Sequence, residues 1–89
     1  METIKIKDWK DLPVNYTGII EYVFGTTCYY LNGKLHREDG PAVIYPNGII
    51  EYFLNGKNIT IEVEEWIEEN NIPKVWTNSH KILFKLTFG

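Results

Sequence analysis

This chain has little to offer metal, thiol or membrane chemistry. Cys28 is its single cysteine, which excludes an intrachain disulfide and makes a reducing compartment the natural setting. The two histidines, His36 and His80, lie far apart in sequence, and with one thiol no His/Cys spacing matches a zinc site. No apolar run exceeds four residues, against the roughly 20 that a membrane helix needs. Met1 is followed by scattered charge (Glu2, Lys5, Lys7, Asp8), so no signal peptide is expected and a cytoplasmic location is. Cations are outnumbered: nine Lys and Arg face twelve Asp and Glu, and the net charge of −3 argues against nucleic acid as a partner through bulk electrostatics. The glycines fall in turns rather than ahead of a helix, so there is no phosphate loop, and no cofactor is expected. Nucleophilic catalysis by Cys28 with either histidine would need an aligned third group and a pocket.

Aromatic side chains are abundant by contrast, with three Trp, six Tyr and four Phe among 89 residues. A chain of this length makes one domain, spanning 1–89, whose core is only marginally self-sufficient. Each ring buries about 150–250 Å², so the aromatics are expected to supply much of that core.

Residues 35–57 repeat residues 12–34 at a constant offset of 23. Leu12 matches Leu35, Tyr22 matches Tyr45, Gly25 matches Gly48 and Tyr29 matches Tyr52, while Leu31-Asn32-Gly33-Lys34 returns as Leu54-Asn55-Gly56-Lys57. A period of this size ending in Asn-Gly describes a β-hairpin-sized unit stacked on a second one. The pentapeptide Gly-Ile-Ile-Glu-Tyr also occurs at 18–22 and 48–52, but the offset of 23 aligns more positions and aligns the turns.

Thr3 to Lys7 alternates as a short strand with Ile4 and Ile6 on one face. Gly18 to Tyr22, Thr26 to Leu31, Ala42 to Tyr45 and Ile49 to Leu54 read as further strands, with turns at Phe24-Gly25 and Asp39-Gly40-Pro41. Three Asn-Gly pairs, at 32–33, 47–48 and 55–56, suit type I′ hairpin turns, which need positive φ at both central residues. Thr60 to Asn70 carries a helical period, with Thr60 as N-cap, early acids at the positive end of the dipole and Val63, Trp66 and Ile67 on the packing side. Asn70-Asn71 and Pro73 close it. For 77–88 two readings stand: a strand alternating Ile82, Phe84, Leu86 and Phe88, which is preferred, or a short helix capped by Thr77. The expected fold is α+β: an antiparallel meander of about five to seven strands, built from two hairpin repeats over 12–57, with one amphipathic helix in the capping segment 58–89 packed on the sheet or its edge.

The stretch Tyr30-Leu31-Asn32-Gly33-Lys34-Leu35-His36-Arg37-Glu38-Asp39-Gly40-Pro41-Ala42 resembles a tandem repeat, Tyr-x-x-Gly-Lys-x-His-Arg-x-x-Gly-Pro-Ala. That repeat is widespread in phage and giant-virus proteins and looks like a variant of the MORN type, with relatives in antitoxin-like bacterial proteins. The resemblance implies hairpins stacked into an open sheet that serves as a binding scaffold. Only one complete copy of His-Arg-x-x-Gly-Pro-Ala is present; Pro13-Val14 and Ile59-Thr60 stand where the other copies would have His-Arg.

Three features are candidates for partner binding. Arg37, in the mixed-charge bend His36 to Asp39, could fork onto a carboxylate or phosphate, or the bend could serve the repeat itself. Glu62, Glu65 and Glu69 form one exposed row of the helix and Glu64 with Glu68 another, suited to a basic partner or simply to solvent. Tyr29 and Tyr52, with Tyr22 and Tyr45, could form an aromatic platform or complete a small core. The function expected is a non-enzymatic protein-binding module, resembling a phage accessory protein that inhibits or neutralises a host protein. A homo-oligomer assembled through sheet edges is the second reading, and single-stranded nucleic-acid binding the third.

Overall fold

The computed structural model describes residues 2–89 and has mixed α+β architecture. Among the described residues, eight short strands come first: β1 (Thr3–Ile6), β2 (Gly18–Tyr22), β3 (Thr27–Leu31), β4 (Lys34–Leu35), β5 (Val43–Ile44), β6 (Ile50–Glu51), β7 (Phe53–Leu54) and β8 (Lys57–Asn58). Two helices follow, α1 (Thr60–Glu69) and α2 (Asn78–Phe88). The main sheet runs β1-β2-β3-β5-β6, with β4 also on β3, while β7 and β8 pair apart as a two-stranded ribbon. The two repeats therefore share one ladder through β2-β3-β5-β6, and only the end of the second repeat, β7-β8, leaves it. Backbone bonds still tie the ribbon to the sheet: the Arg37 N–H donates to the Phe53 carbonyl (3.1 Å) and the Gly56 N–H to the Leu35 carbonyl (2.8 Å).

The offset of 23 is visible in the hydrogen bonds. Gly25 N–H donates to Tyr22 O (2.9 Å) as Gly48 N–H does to Tyr45 O (3.0 Å), and His36 N–H donates to Tyr29 O (3.0 Å) as Ile59 N–H does to Tyr52 O (2.8 Å). The competing pentapeptide match has no such equivalence: Ile20 is fully buried, whereas Ile50 is 38 % exposed.

All three Asn-Gly pairs reverse the chain between paired strands, but by two different turns. Asn32-Gly33 and Asn55-Gly56 have φ of 51° and 81°, and 51° and 83°, as a type I′ turn requires. At 47–48 only Gly48 has positive φ (89°). Pro46, whose ring fixes φ near −65°, occupies the first corner of a type I turn, and Gly48 follows as the bulge residue. Tyr22 to Thr26 repeats this geometry with Gly25 at φ 105°.

β1 is a second departure from the meander. It lies parallel to β2, with Thr3 opposite Ile19 and Ile6 opposite Tyr22. A parallel neighbour needs a crossover, and residues 7–17 supply it, including a 3₁₀ turn at Trp9–Asp11. That crossover folds Leu12 and Tyr16 onto the same sheet face as Ile4, Ile20, Tyr22, Cys28 and Val43, which together form the first core.

The helices do not cover this sheet. α1 and α2 enclose a second core of Tyr52, Ile59, Val63, Trp66 and Phe84, with Ile67, Trp76 and Phe88 packed against it. Its aromatic rings meet mostly edge-on or tilted: Trp66 and Trp76 have centroids 5.6 Å apart at 74°, and Trp66 and Phe88 5.8 Å apart at 84°. Such contacts contribute about 0.5–1.5 kcal/mol per pair beyond area burial.

Residues 78–88 form a helix, not a strand. Ile82 and Leu86, half of the strand-like alternation, are 60 % and 79 % exposed, while Phe84 is fully buried. Local capping decides the outcome. The Thr77 hydroxyl accepts from the His80 N–H (3.3 Å), and the His80 ring Nδ1 accepts from the Thr77 N–H (3.0 Å). α1 closes as its asparagines suggest: Asn71 has φ 52°, and Ile72 N–H reaches back to Ile67 O (3.0 Å).

The start of α1 differs from the expectation that Thr60 caps it. Ile59 is the cap position, and Asn58 Oδ1 accepts from the Thr60 N–H at 3.0 Å. The Thr60 hydroxyl oxygen turns backward and accepts from the Tyr52 N–H at 3.0 Å. One repeat earlier, the corresponding Tyr29 N–H donates to the Ala42 carbonyl of the next strand (2.8 Å). Thr60 thus stands in for a carbonyl that a third repeat would have provided. Replacing Thr60 by Val removes this acceptor at nearly constant shape. The expected loss is about 1–3 kcal/mol in urea unfolding, with faster amide exchange at Tyr52, and Thr60→Ser should restore most of both.

Candidate functional site

The bend His36 to Pro41 is the densest polar constellation in the fold, and most of its bonding is internal. His36 is buried, and its Nδ1 accepts from the Asn55 N–H at 2.9 Å. That bond places the ring proton on Nε2, which donates to Glu38 Oε1 at 3.2 Å. His36 therefore locks the Asn55-Gly56 turn at the end of the second repeat onto the beginning of the same repeat. In the first repeat Thr17 has this role, its hydroxyl accepting from the Asn32 N–H at 2.9 Å.

Arg37 braces the bend from the other side. Nε donates to Asp39 Oδ1 (2.8 Å), Nη1 donates to the Pro41 carbonyl (3.0 Å), and the guanidinium lies 4.0 Å from the Tyr29 ring centroid. Gly40 packs closely beneath it: a Cβ there would sit 3.1 Å from Arg37 Cζ, so the guanidinium would have to give by a few tenths of an ångström. Among the described residues Nη2 has no acceptor, so one arm of the fork stays open. Glu38 completes the cluster by accepting from Lys85 of α2 (3.1 Å). The Lys85 ammonium, and after it the His36 ring, hold the Glu38 carboxyl below the ordinary carboxylate range.

Grooves surround this bend. One, of about 440 Å³, has Tyr29 and Leu31 as lining under His36 and Arg37. A second, of about 280 Å³, lies between Arg37, Gly40 and Pro41 on one side and Lys74, Trp76 and Lys81 on the other. A third, of about 320 Å³, shares Ile50, Tyr52, Lys74 and Trp76 with the second and is walled by Ile67 and Ile72. Among the described residues, neither Lys74 nor Lys81 makes an ion pair. The second and third hollows together form a trough with an aromatic floor, where Tyr52 and Trp76 stack at 5.9 Å and 10°.

The candidate residues from the sequence are dispersed. Arg37 and Tyr29 are in contact beside the trough. Tyr52 is a core residue that also lines the trough, and Tyr22 is buried in the first core. No aromatic platform forms from the tyrosines, since only Tyr45 reaches substantial exposure and its hydroxyl donates to Glu51 (2.5 Å). Glu62, Glu65 and Glu69 are exposed on α1 and line none of these grooves. Sequence reading missed Ile50, Lys74, Trp76 and Lys81. The signal for Lys81 was the Thr77 cap, which would have placed Lys81 and Lys85 one turn apart on a helix.

Cys28 is buried, and burial, followed by the Glu51 charge, pushes its thiol up to about 11. Among the described residues, no three His, Cys, Asp or Glu side chains gather closely enough to hold a metal ion, and no helix is long and apolar enough to cross a membrane. Comparison with family models, with curated proteins and with solved structures finds no match.

Two outcomes are expected of this site. His36→Ala leaves the Asn55 N–H without its acceptor and should lower stability by about 1–3 kcal/mol, with faster amide exchange at Asn55. The second concerns acid. Because the folded state depresses the Glu38 carboxyl, its contribution is complete above the unfolded carboxylate value and is lost as pH falls through the folded one. Glu38→Gln should flatten the acid limb of a stability-against-pH curve, and moderate salt should do the same to the wild type, because both partners are exposed.

Proposed function

We propose that this chain is a small non-enzymatic protein-binding module. The observation that carries the reading is the trough beside the bend, with an aromatic floor, apolar walls and two lysines that no carboxylate among the described residues engages. Exposed Ile49, Ile50, Val75, Ile82, Leu83 and Leu86 lie in the same C-terminal half of the chain, a composition suited to the core of a protein interface. The groups best able to do chemistry are committed elsewhere. His36 uses both ring nitrogens, His80 caps α2, and Cys28 is a buried thiol.

The resemblance to the MORN-variant repeat of phage and giant-virus proteins supports an accessory role, in which the module neutralises a host protein in the cytoplasm by occupying one of its surfaces. The internal bonding of His36, Arg37 and Gly40 fits a motif that builds repeats. Assembly through sheet edges draws less support, because β1 is four residues long and carries exposed Lys5, while β6 has only two residues. Single-stranded nucleic acid loses its platform with Tyr22 and Tyr52 in the cores.

Affinity capture with the tagged chain from host lysate should recover one protein at near-stoichiometric yield, while generic ester and phosphodiester assays stay blank. Recovery of nothing above the bare matrix, or turnover that disappears in His36→Ala, would overturn the reading.

A further inference from the structure

Resting on the protein-binding reading, we infer that the trough between the bend and the 72–81 segment takes an acidic peptide segment of its partner, with a bulky apolar residue among the carboxylates. Three cations border it: Arg37, Lys74 and Lys81. Lys74 and Lys81 have no counter-ion among the described residues, and Arg37 keeps Nη2 open while Nε and Nη1 stay bonded. Asp39, the carboxylate on the same wall, is already engaged by Arg37 at 2.8 Å. An incoming carboxylate therefore meets unpaired positive charge with little local opposition.

The apolar half of the recognition comes from Ile50 and Trp76. Ile50 ends the main sheet and is 38 % exposed, and Trp76 is held rigid by stacking on Tyr52. Trp76 also packs tilted on buried Phe84, with centroids 5.2 Å apart, so it needs little ordering on binding, which favours affinity. The two hollows that share these residues have about 280 and 320 Å³, room for a leucine-sized side chain on Ile50 and Trp76, with Lys74 lining both hollows and Lys81 the first.

Charge also decides between a peptide and a polyanion. The chain has net charge −3, and Glu62, Glu64, Glu65, Glu68 and Glu69 crowd α1, whose Ile67 forms part of the trough wall. A nucleic-acid backbone would carry phosphates past that helix within the roughly 10 Å over which charge is felt. One or two carboxylates set among apolar residues avoid it.

The test uses the full chain and a capped pentapeptide in which a central leucine is flanked on each side by one glutamate and then one glycine. Titration followed by amide and indole shifts should move Ile50, Lys74, Trp76 and Lys81. Lys74→Glu/Lys81→Glu should weaken binding by at least about tenfold without changing the unfolding midpoint, while Lys10→Glu, on the 3₁₀ turn, should leave it unchanged. The glutamine version of the peptide should bind at least about tenfold more weakly, and added salt should weaken the acidic one. Equal binding of the glutamine peptide, equal binding by the charge-reversed variant, or tighter binding of an oligothymidylate would each overturn the assignment. Concentration-dependent self-association abolished by Glu65→Lys/Glu69→Lys would overturn it too, because a second copy would then be the occupant. Lost peptide binding with host-protein capture intact removes this assignment alone; lost capture with peptide binding intact removes the broader reading.

Discussion

A sheet built from repeats has to end, and its last strand carries a backbone donor with no neighbour to receive it. A buried N–H without an acceptor costs about 1–3 kcal/mol, so the means of ending shapes the rest of the chain. Here the donor is the Tyr52 N–H and the acceptor is the Thr60 hydroxyl. Because that hydroxyl faces back toward the strand, it cannot cap its own helix, and Asn58 supplies the helix's first acceptor. The helix therefore starts where the sheet stops. Its position brings Val63 and Trp66 over Tyr52, and α2 closes the cluster with Phe84.

The His-Arg bend obeys the same requirement one level up. A repeat closes when the Asn-Gly turn at its end is fastened to its beginning, and in the second repeat His36 does this through one ring nitrogen while holding Glu38 with the other. Arg37 then draws the chain around Gly40, where a Cβ would crowd the guanidinium at 3.1 Å. The most chemically suggestive residues of the chain are thus consumed in joining its parts. The trough beside them is lined by quieter residues, among them Ile50, Trp76 and two lysines. Glu38 extends the joint to α2 through Lys85, which ties the repeats to the helical end by charge as well as by packing.

What could be read from sequence and what could not divide along physical lines. The period of 23, β2, β3 and α1 with Val63 and Trp66 as its packing side were legible because each rests on local pattern and turn chemistry. β1 was legible as a strand but not as a parallel one, since direction is set by the 7–17 crossover and not by alternation. α2 was misread because Ile82, Phe84, Leu86 and Phe88 satisfy a period of two by accident; the decisive signal was the Thr77–His80 pair that starts the helix. The turn at 47–48 was misassigned because Pro46 outweighs Asn47. Of the candidate binding residues, Arg37 and Tyr52 line the trough, but the rest of its lining comes from elements distant in sequence, which no motif announces.

The Thr60 terminator also constrains how a chain of this kind changes length. Duplication of a whole 23-residue block upstream of Asn58 would give the Tyr52 N–H a carbonyl like that of Ala42 and pass the hydroxyl on to the newest strand. A block appended beyond Phe88 would follow a helix and not a strand, and so would not continue the repeat ladder. Such a lineage would grow from within, with the helical end carried along intact and each added copy widening the sheet while the trough-forming terminus kept its composition.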